Sequence, residues 1–134
     1  MAKIRNIRTA FWPDPYIHSL VPEERLVFIY LLTNESTSLC GIYQITPKII
    51  SFYTGISEDS VGIILEKFEK DSRMVYIVGW LYIKNFVKYV MLVDNVSGTI
   101  KRAIGIGFKE IPKDILDKIN QFDANFKEKY DKFL

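Results

Sequence analysis

The sequence contains little of the side-chain chemistry on which most enzymes and metalloproteins depend. Its 134 residues include one cysteine, Cys40, and one histidine, His18. A lone cysteine excludes an internal disulfide and fits a reducing compartment, and a histidine without neighbouring cysteines or histidines does not make a metal site. The phosphate-binding patterns GxGxxG and GxxxxGK followed by Ser or Thr do not occur. We therefore expect a protein that is not an enzyme and that binds no metal or cofactor.

Long apolar runs and a strong net charge are absent as well. No stretch approaches the roughly 18 apolar residues of a membrane span, and the N-terminal stretch MAKIRNIRTAF lacks the long apolar region and the cleavage site of a signal peptide. The apolar fraction of 49% is that of a globular chain. We expect one cytoplasmic domain, with or without a tail, and no membrane partner. The net charge of +2 gives little support for tight nucleic-acid binding.

Positive charge is nevertheless concentrated in two parts of the chain. Lys3, Arg5 and Arg8 lie at the N-terminus without an acid between them, and bases outnumber acids between residues 73 and 110. Two interpretations are open. These bases contact a phosphate backbone, or they keep the edges of a sheet soluble and unpaired.

Residues 46–70 predict two helices joined by a tight turn. Thr46 before Pro47 is a helix start, because threonine caps free amides and proline at the first helical position costs no hydrogen bond. Gly55 ends this helix, and Ser57 starts the next one. The second helix has a single apolar stripe at helical spacing, formed by Val61, Ile64, Leu65 and Phe68.

After the second helix the apolar residues alternate with a period of two. The runs 74–78 and 80–86 are β-branched and aromatic and are separated by Gly79, which predicts a β-hairpin. A further strand is expected at 41–45, beside the hairpin. The order strand, two helices and hairpin predicts a winged helix, and the fold class is α+β and mainly helical.

The N-terminal segment is rich in large apolar side chains. Asp14-Pro15 predicts a short helical turn that runs to about Leu20, and Pro22 begins a full helix that runs to Thr33. The middle of that helix, LVFIYLL, is apolar on all sides, so one side covers the two helices and the other needs a partner. That partner is the N-terminal aromatic segment, the C-terminal helices or another subunit. The candidate interface residues of the aromatic segment are Phe11, Trp12, Tyr16 and Ile17.

The C-terminal part predicts further helices. Residues 90–93 extend the strand or form a linker, and residues 95–108 have apolar side chains at helical spacing. Pro112 begins a last helix, in which the apolar positions are Ile115, Ile119, Phe122, Phe126, Tyr130 and Phe133. The helix packs on the domain through this stripe, or it pairs with a partner in a dimer, with Phe122 and Phe126 as candidate contacts.

Three stretches are distinctive enough to carry a family resemblance. They are AFWPDPYIHSLVPEERLVFIYLLTNESTSLCGIYQIT, then GISEDSV with LEKFEKDSRMVY after it, and finally GWLYIKNFVKY. Together they resemble the N-terminal domain of phage replisome organisers, a family similar to the DnaD-type primosomal proteins of Gram-positive bacteria and their prophages. The resemblance implies a winged helix in the cytoplasm of the bacterial host. It implies that the protein initiates phage DNA replication by binding origin DNA and recruiting the host replicative helicase or its loader.

The resemblance covers residues 10 to about 89. Family members continue into a second, helical domain, so we expect this chain to be a truncated or short version. The expected division is a basic arm at 1–10, a winged-helix domain at 11–89, and a C-terminal helical extension at 90–134. The extension packs on the domain or leads to a missing second domain.

The sequence favours DNA contact by the arm and the hairpin over base reading by the second helix. The first turn of that helix carries Glu58 and Asp59, and carboxylates repel phosphates. Trp80 and Tyr82 could stack on single-stranded bases or pack across the hairpin. The candidate arm and hairpin contacts are Lys3, Arg5, Arg8, Arg73, Trp80, Tyr82, Lys84 and Lys88. The candidate contacts from the two helices are Lys48, Ser57, Ser60 and Lys67.

Two other functions are open. The first is an oligomerisation and protein-interaction module without DNA affinity of its own, because the first helix is apolar on all sides and a sheet edge is exposed. The second is a winged-helix transcription regulator, because a fold does not by itself choose a function. The acidic first turn of the second helix argues against the regulator.

Overall fold

The computed structural model describes residues 3–90 and 98–131 and shows a mixed α+β fold that is mainly helical. This confirms the predicted α+β, mainly helical class. A 3-10 turn covers Thr9–Phe11, and the strands are β1 (Ile42–Gln44), β2 (Met74–Ile77) and β3 (Trp80–Ile83). The helices are α1 (Pro15–Ser19), α2 (Pro22–Thr33), α3 (Pro47–Thr54), α4 (Glu58–Lys70), α5 (Phe86–Val90), α6 (Gly98–Lys109), α7 (Lys113–Phe122) and α8 (Phe126–Asp131).

The ends of α3 and α4 lie where the capping residues predict them. The Thr46 hydroxyl accepts a hydrogen bond from the Ile49 amide at 3.3 Å, and the Ser57 hydroxyl accepts one from the Ser60 amide at 3.2 Å. Gly55 ends α3 with a φ of 76°, in the left-handed region that favours glycine. The predicted apolar stripe of α4 is buried, at Val61, Ile64, Leu65 and Phe68.

The three strands form an antiparallel sheet in the order β1-β3-β2. Trp80 at the start of β3 is opposite Gln44 on one side and Ile77 on the other. A two-residue turn, Val78-Gly79, joins β2 to β3. The predicted hairpin and the predicted pairing of the first strand beside it are therefore confirmed.

The sheet lies between two layers of helices, because side chains alternate along its strands. Leu81 and Ile83 belong to a core shared with α2, α3 and α4. Val75 and Tyr82 face the other way and belong to a second core, which the C-terminal helices cover with Ile104, Phe108, Ile115, Ile119 and Phe126. The C-terminal stripe therefore packs on the sheet of its own chain over these residues.

The buried side of α2 is covered by aromatic rings of the same chain. The Phe28 ring lies 5.3 Å from the ring of Phe68, 5.5 Å from that of Tyr89 and 6.0 Å from that of Phe11, between ring centroids. Phe11 and Ile17 are 3% and 1% exposed. These two residues are predicted as candidates for a partner interface. They are instead part of the chain's own core, where they pack with the buried residues of α2.

The chain after β3 departs from the predicted strand. The run 80–86 was predicted to be extended throughout, but β3 ends at Ile83 and Asn85 has a φ of 61°. The chain then turns into α5, which buries Phe86 and Val90 one helical turn apart. The predictions for residues 91–93 and for the helix start at 95–97 lie outside the described residues.

The last predicted helix is two helices. α7 ends at Phe122, and Asp123 is extended, with a φ of −124° and a ψ of 100°. The Asp123 carboxylate accepts a hydrogen bond from the Asn125 amide at 3.1 Å, a local turn that competes with the helix. Phe126 at the start of α8 is 4% exposed and belongs to the second core, so it is not available to a dimer partner. Phe133 lies outside the described residues.

Among residues 3–90 and 98–131, no helix combines the length and the apolar character needed to cross a membrane.

Candidate nucleic-acid interface

Three basic residues from separate parts of the chain line one cleft near the base of the hairpin. They are Arg8 from the arm, Arg73 immediately before β2, and Lys88 from α5. The cleft has a volume of about 100 Å³, and its other polar lining residues are Asp14, Asn85 and Tyr89. We call it the basic cleft.

The arm is fixed to α5 at this cleft. The Arg8 amide donates a hydrogen bond to the Tyr89 carbonyl at 3.0 Å, and Arg8 Nη1 donates one to the Lys88 carbonyl at 3.3 Å. The Phe11 ring packs edge-on against the Tyr89 ring, with 6.4 Å between centroids. The position of Arg8 is therefore set by both backbone and side-chain contacts.

Arg73 is held by two tyrosines. Its guanidinium carbon lies 4.1 Å from the centroid of the Tyr16 ring, a cation–π contact. Burial raises the pKa of the Tyr89 hydroxyl, and the charge and hydrogen bond of Arg73 oppose that rise. The Lys84 amide donates a hydrogen bond of 3.0 Å to the Arg73 carbonyl, so Lys84 follows Arg73 across the hairpin base. Lys84 thus lies at the end of β3 beside Arg73, a residue that lines the cleft.

The acids of this region already have partners. The Asp14 carboxylate accepts a hydrogen bond from the Tyr16 amide at 2.8 Å and caps α1. The Asp71 carboxylate accepts bonds of 2.9 Å from Lys67 and from the Tyr16 hydroxyl, and these two bonds hold its pKa below the usual range, the Lys67 bond most strongly. The three bases outnumber Asp14, the acid that lines the cleft, so the lining carries more positive than negative charge.

The other two arm bases serve a different purpose. Lys3 Nζ donates to the carbonyls of Glu35 and Thr37 at 2.8 Å, and Arg5 binds Thr37 through its hydroxyl at 2.9 Å and its carbonyl at 3.1 Å. Burial, followed by the charge of Arg5, lowers the pKa of Lys3. Lys3 and Arg5 hold the loop after α2, and Arg8 is the predicted arm base that lines the basic cleft.

The outer side of α3 and α4 is not a basic surface. Lys48 is exposed, but Ser57 and Ser60 are engaged with each other at the N-terminus of α4, and Lys67 is paired with Asp71. The exposed positions of α4 are Glu58, Asp59, Ile63, Glu66, Glu69 and Lys70. The acidic first turn that the sequence predicted faces solvent.

The two hairpin aromatics predicted as DNA contacts lie on the sheet face that the C-terminal helices cover. Tyr82 is 4% exposed, and its hydroxyl donates a hydrogen bond of 2.8 Å to the Asp123 carboxylate. Trp80 is half-buried against the second core. The prediction of Tyr82 as a DNA contact is therefore wrong, because a buried ring cannot stack on a base.

Sequence reasoning missed an exposed apolar patch on α2 and α3. Phe52 and Tyr53 are 79% and 66% exposed, and the Tyr53 ring stacks on the Tyr30 ring with 6.0 Å between centroids. Ile49 and Leu26 extend the patch by one helical turn on each helix. The signal in the sequence was α3 itself, an eight-residue helix in which Ile50 is buried while Ile49, Phe52 and Tyr53 are exposed.

The described residues therefore define a small α+β protein with a basic cleft at one end of its sheet and an apolar patch on its helices. Within 3–90 and 98–131, no group of three or more His, Cys, Asp or Glu side chains is placed to hold a metal ion. Comparison of the chain with protein-family models, curated proteins and solved structures finds no match in any of the three. The resemblance to phage replisome organisers thus depends on the quoted sequence pattern alone.

Proposed function

We propose that this protein is a nucleic-acid-binding module that contacts the phosphate backbone through the basic cleft and Lys84. The observation that carries the proposal is the convergence of Arg8, Arg73 and Lys88 on one cleft, since these residues come from three separate segments. Arginine and lysine side chains supply most of the phosphate contacts that fix a protein on a nucleic acid. Asp14 is the acid among the lining residues, so positive charge remains in excess in the cleft.

The biological role follows from the resemblance. The order α2, β1, α3, α4 and the β2–β3 hairpin supports a winged helix, and the quoted motifs support a role in the initiation of phage DNA replication. Recruitment of the host helicase or its loader is proposed on the resemblance alone. In this proposal the bases contact phosphates at the base of the hairpin and α4 does not read base edges, because its exposed side is largely acidic.

The proposal is tested by fluorescence anisotropy with labelled single- and double-stranded DNA at low and near-physiological salt. Contact with phosphates releases counterions, so the affinity should fall as salt rises, whichever sequence is used. Light scattering on the same sample gives the number of subunits. Affinity that does not change with salt, or no binding at low salt, would contradict the proposal.

A second candidate function rests on the apolar patch of Leu26, Tyr30, Ile49, Phe52 and Tyr53. Large exposed apolar patches mark protein contacts, and aromatic residues are enriched in such contacts. The candidate is an oligomerisation or protein-interaction module of the replisome. The double variant Phe52→Ser, Tyr53→Ser should shift a concentration-dependent assembly towards monomer, whereas Ile106→Ser, at a 55% exposed site on α6, should not. Sedimentation velocity measures both variants, and equal assembly of the two would reject this candidate.

A further inference from the structure

We infer that the basic cleft binds the terminal phosphate group of a nucleic-acid strand in preference to the internal phosphates. This inference rests on the proposed function, because it names the part of the nucleic acid that the same cleft takes. A terminal phosphate is a monoester, whereas each internal phosphate is a diester with one negative charge.

The charge of the cleft suits a dianion. Arg8, Arg73 and Lys88 supply three positive charges, and Asp14 is the acid among the lining residues. A phosphate monoester carries about −1.5 to −2 charges near pH 7. A diester would leave more of the positive charge unpaired, and the terminal group would therefore gain more from the cleft than an internal one.

The size of the cleft suits one phosphate group. Its volume of about 100 Å³ is well below the roughly 300–1,000 Å³ of pockets that enclose drug-sized ligands. The cleft is therefore of a size for a small anionic group and not for a whole nucleotide, so the sugar and the base would remain outside. A phosphate at the end of a strand enters such a cleft with one chain leading away, whereas an internal phosphate has to bring in the chain on both sides.

The cleft is also preorganised. Arg73 is positioned by the Tyr16 ring and Arg8 by the Lys88 carbonyl, so little side-chain freedom is lost when a ligand binds. Guanidinium groups match phosphate oxygens with two parallel hydrogen bonds.

An exposed aromatic side chain next to a lining residue offers a surface for the terminal base. Trp12 is 56% exposed, and its ring centroid lies 5.1 Å from that of Phe11, a lining residue. An exposed indole stacks on any base without sequence preference. Trp12, predicted as a partner contact, is thus placed to hold the first base of the strand whose phosphate is in the cleft.

The experiment uses one labelled single-stranded oligonucleotide in three forms: 5′-phosphorylated, 3′-phosphorylated and without a terminal phosphate. Anisotropy is measured with the wild-type chain, with Lys88→Gln, and with Lys101→Gln as the matched control, because Lys88 and Lys101 are both exposed helical lysines. One added charge-assisted hydrogen bond predicts that a phosphorylated form binds about tenfold more tightly. Lys88→Gln should remove this preference, and Lys101→Gln should keep it.

The outcomes separate the inference from the proposed function. Equal, salt-dependent binding of all three forms would overturn the inference and leave the proposed function standing. Absence of binding by every form would overturn both. A preference that survives in Lys88→Gln would place the terminal phosphate elsewhere and would also overturn the inference. As a second readout, the preference should shrink near pH 5, where the monoester has lost its second charge.

Discussion

The hydroxyl of Tyr82 donates a hydrogen bond of 2.8 Å to the carboxylate of Asp123 and joins β3 to the break between α7 and α8. Both residues are buried, at 4% and 3% exposure. The Tyr82 ring also packs edge-on against the Phe126 ring, with 5.3 Å between centroids. This contact closes one face of the sheet with the C-terminal helices, so the Tyr82 ring is not available at the surface of the hairpin.

Tyr82→Phe removes one donor from a buried carboxylate. The free energy of unfolding should fall by about 1–3 kcal/mol, the cost of leaving a buried acceptor short of a hydrogen bond. Urea unfolding followed by circular dichroism measures the change. Tyr76→Phe is the matched control, since Tyr76 is a half-buried tyrosine on the neighbouring strand β2. Equal midpoints for the two variants would show that the contact contributes nothing measurable.

Gly41→Ala should be far more harmful than Gly55→Ala. Both glycines have a left-handed backbone, with φ values of 78° and 76°, which costs an alanine about 1–2 kcal/mol. A Cβ on Gly41 would also lie 2.8 Å from the Phe86 Cβ, whereas a Cβ on Gly55 would meet no atom within 4 Å. We expect Gly41→Ala to lower the unfolding free energy by more than about 2 kcal/mol and Gly55→Ala to lower it by about 1 kcal/mol. Thermal or urea unfolding measures both, and equal losses would contradict the crowding at Phe86.

Asp71→Asn should change the pH dependence of stability. The bonds from Lys67 and Tyr16 lower the folded-state pKa of Asp71 below its ordinary value of 3.8. The contribution of this carboxylate is therefore present above about pH 4 and is lost as the pH falls through the lowered folded-state pKa. Because the pair is partly exposed, the variant should be less stable at pH 7 by under about 1 kcal/mol.

Urea unfolding at pH 7 and pH 3 measures the effect of Asp71→Asn. The difference in unfolding free energy between the wild-type chain and the variant should be smaller at pH 3 than at pH 7. Asp117→Asn, at an exposed position of α7, should have the same unfolding free energy as the wild-type chain at both pH values. A gap for Asp71→Asn that is the same at pH 3 and pH 7 would contradict the assigned cause.

Local signals in the sequence predicted most of the elements. The boundaries of α3 and α4 follow from Thr46, Gly55 and Ser57, because each cap acts within a few residues of itself. The hairpin follows from the change of period after Asp71. The break at Asp123 could not be predicted from its neighbours alone, because one partner of its carboxylate is Tyr82, 41 positions away.

The candidate interface was predictable only in part. The sequence identified Arg8, Arg73, Lys84 and Lys88 as candidate contacts, but the cleft forms only when the arm folds back on α5 and reaches Tyr89. Lys3 and Arg5 have the same local appearance as Arg8, yet their donors bind carbonyls of the loop near Thr37. Charge along the chain identifies bases, and tertiary contacts decide which of them are available.

The central claim is that the bases at the foot of the hairpin contact phosphates, and the salt dependence of DNA affinity tests it most directly. The measurement compares the wild-type chain with Lys84→Gln, Lys88→Gln and with the control Lys101→Gln, Lys118→Gln. Each lost phosphate contact should make the slope of log affinity against log salt less steep by about 0.9. The account predicts a slope flatter by about one to two for the first double variant and an unchanged slope for the control. An equal slope in all three proteins would contradict the claim and exclude this surface from DNA binding.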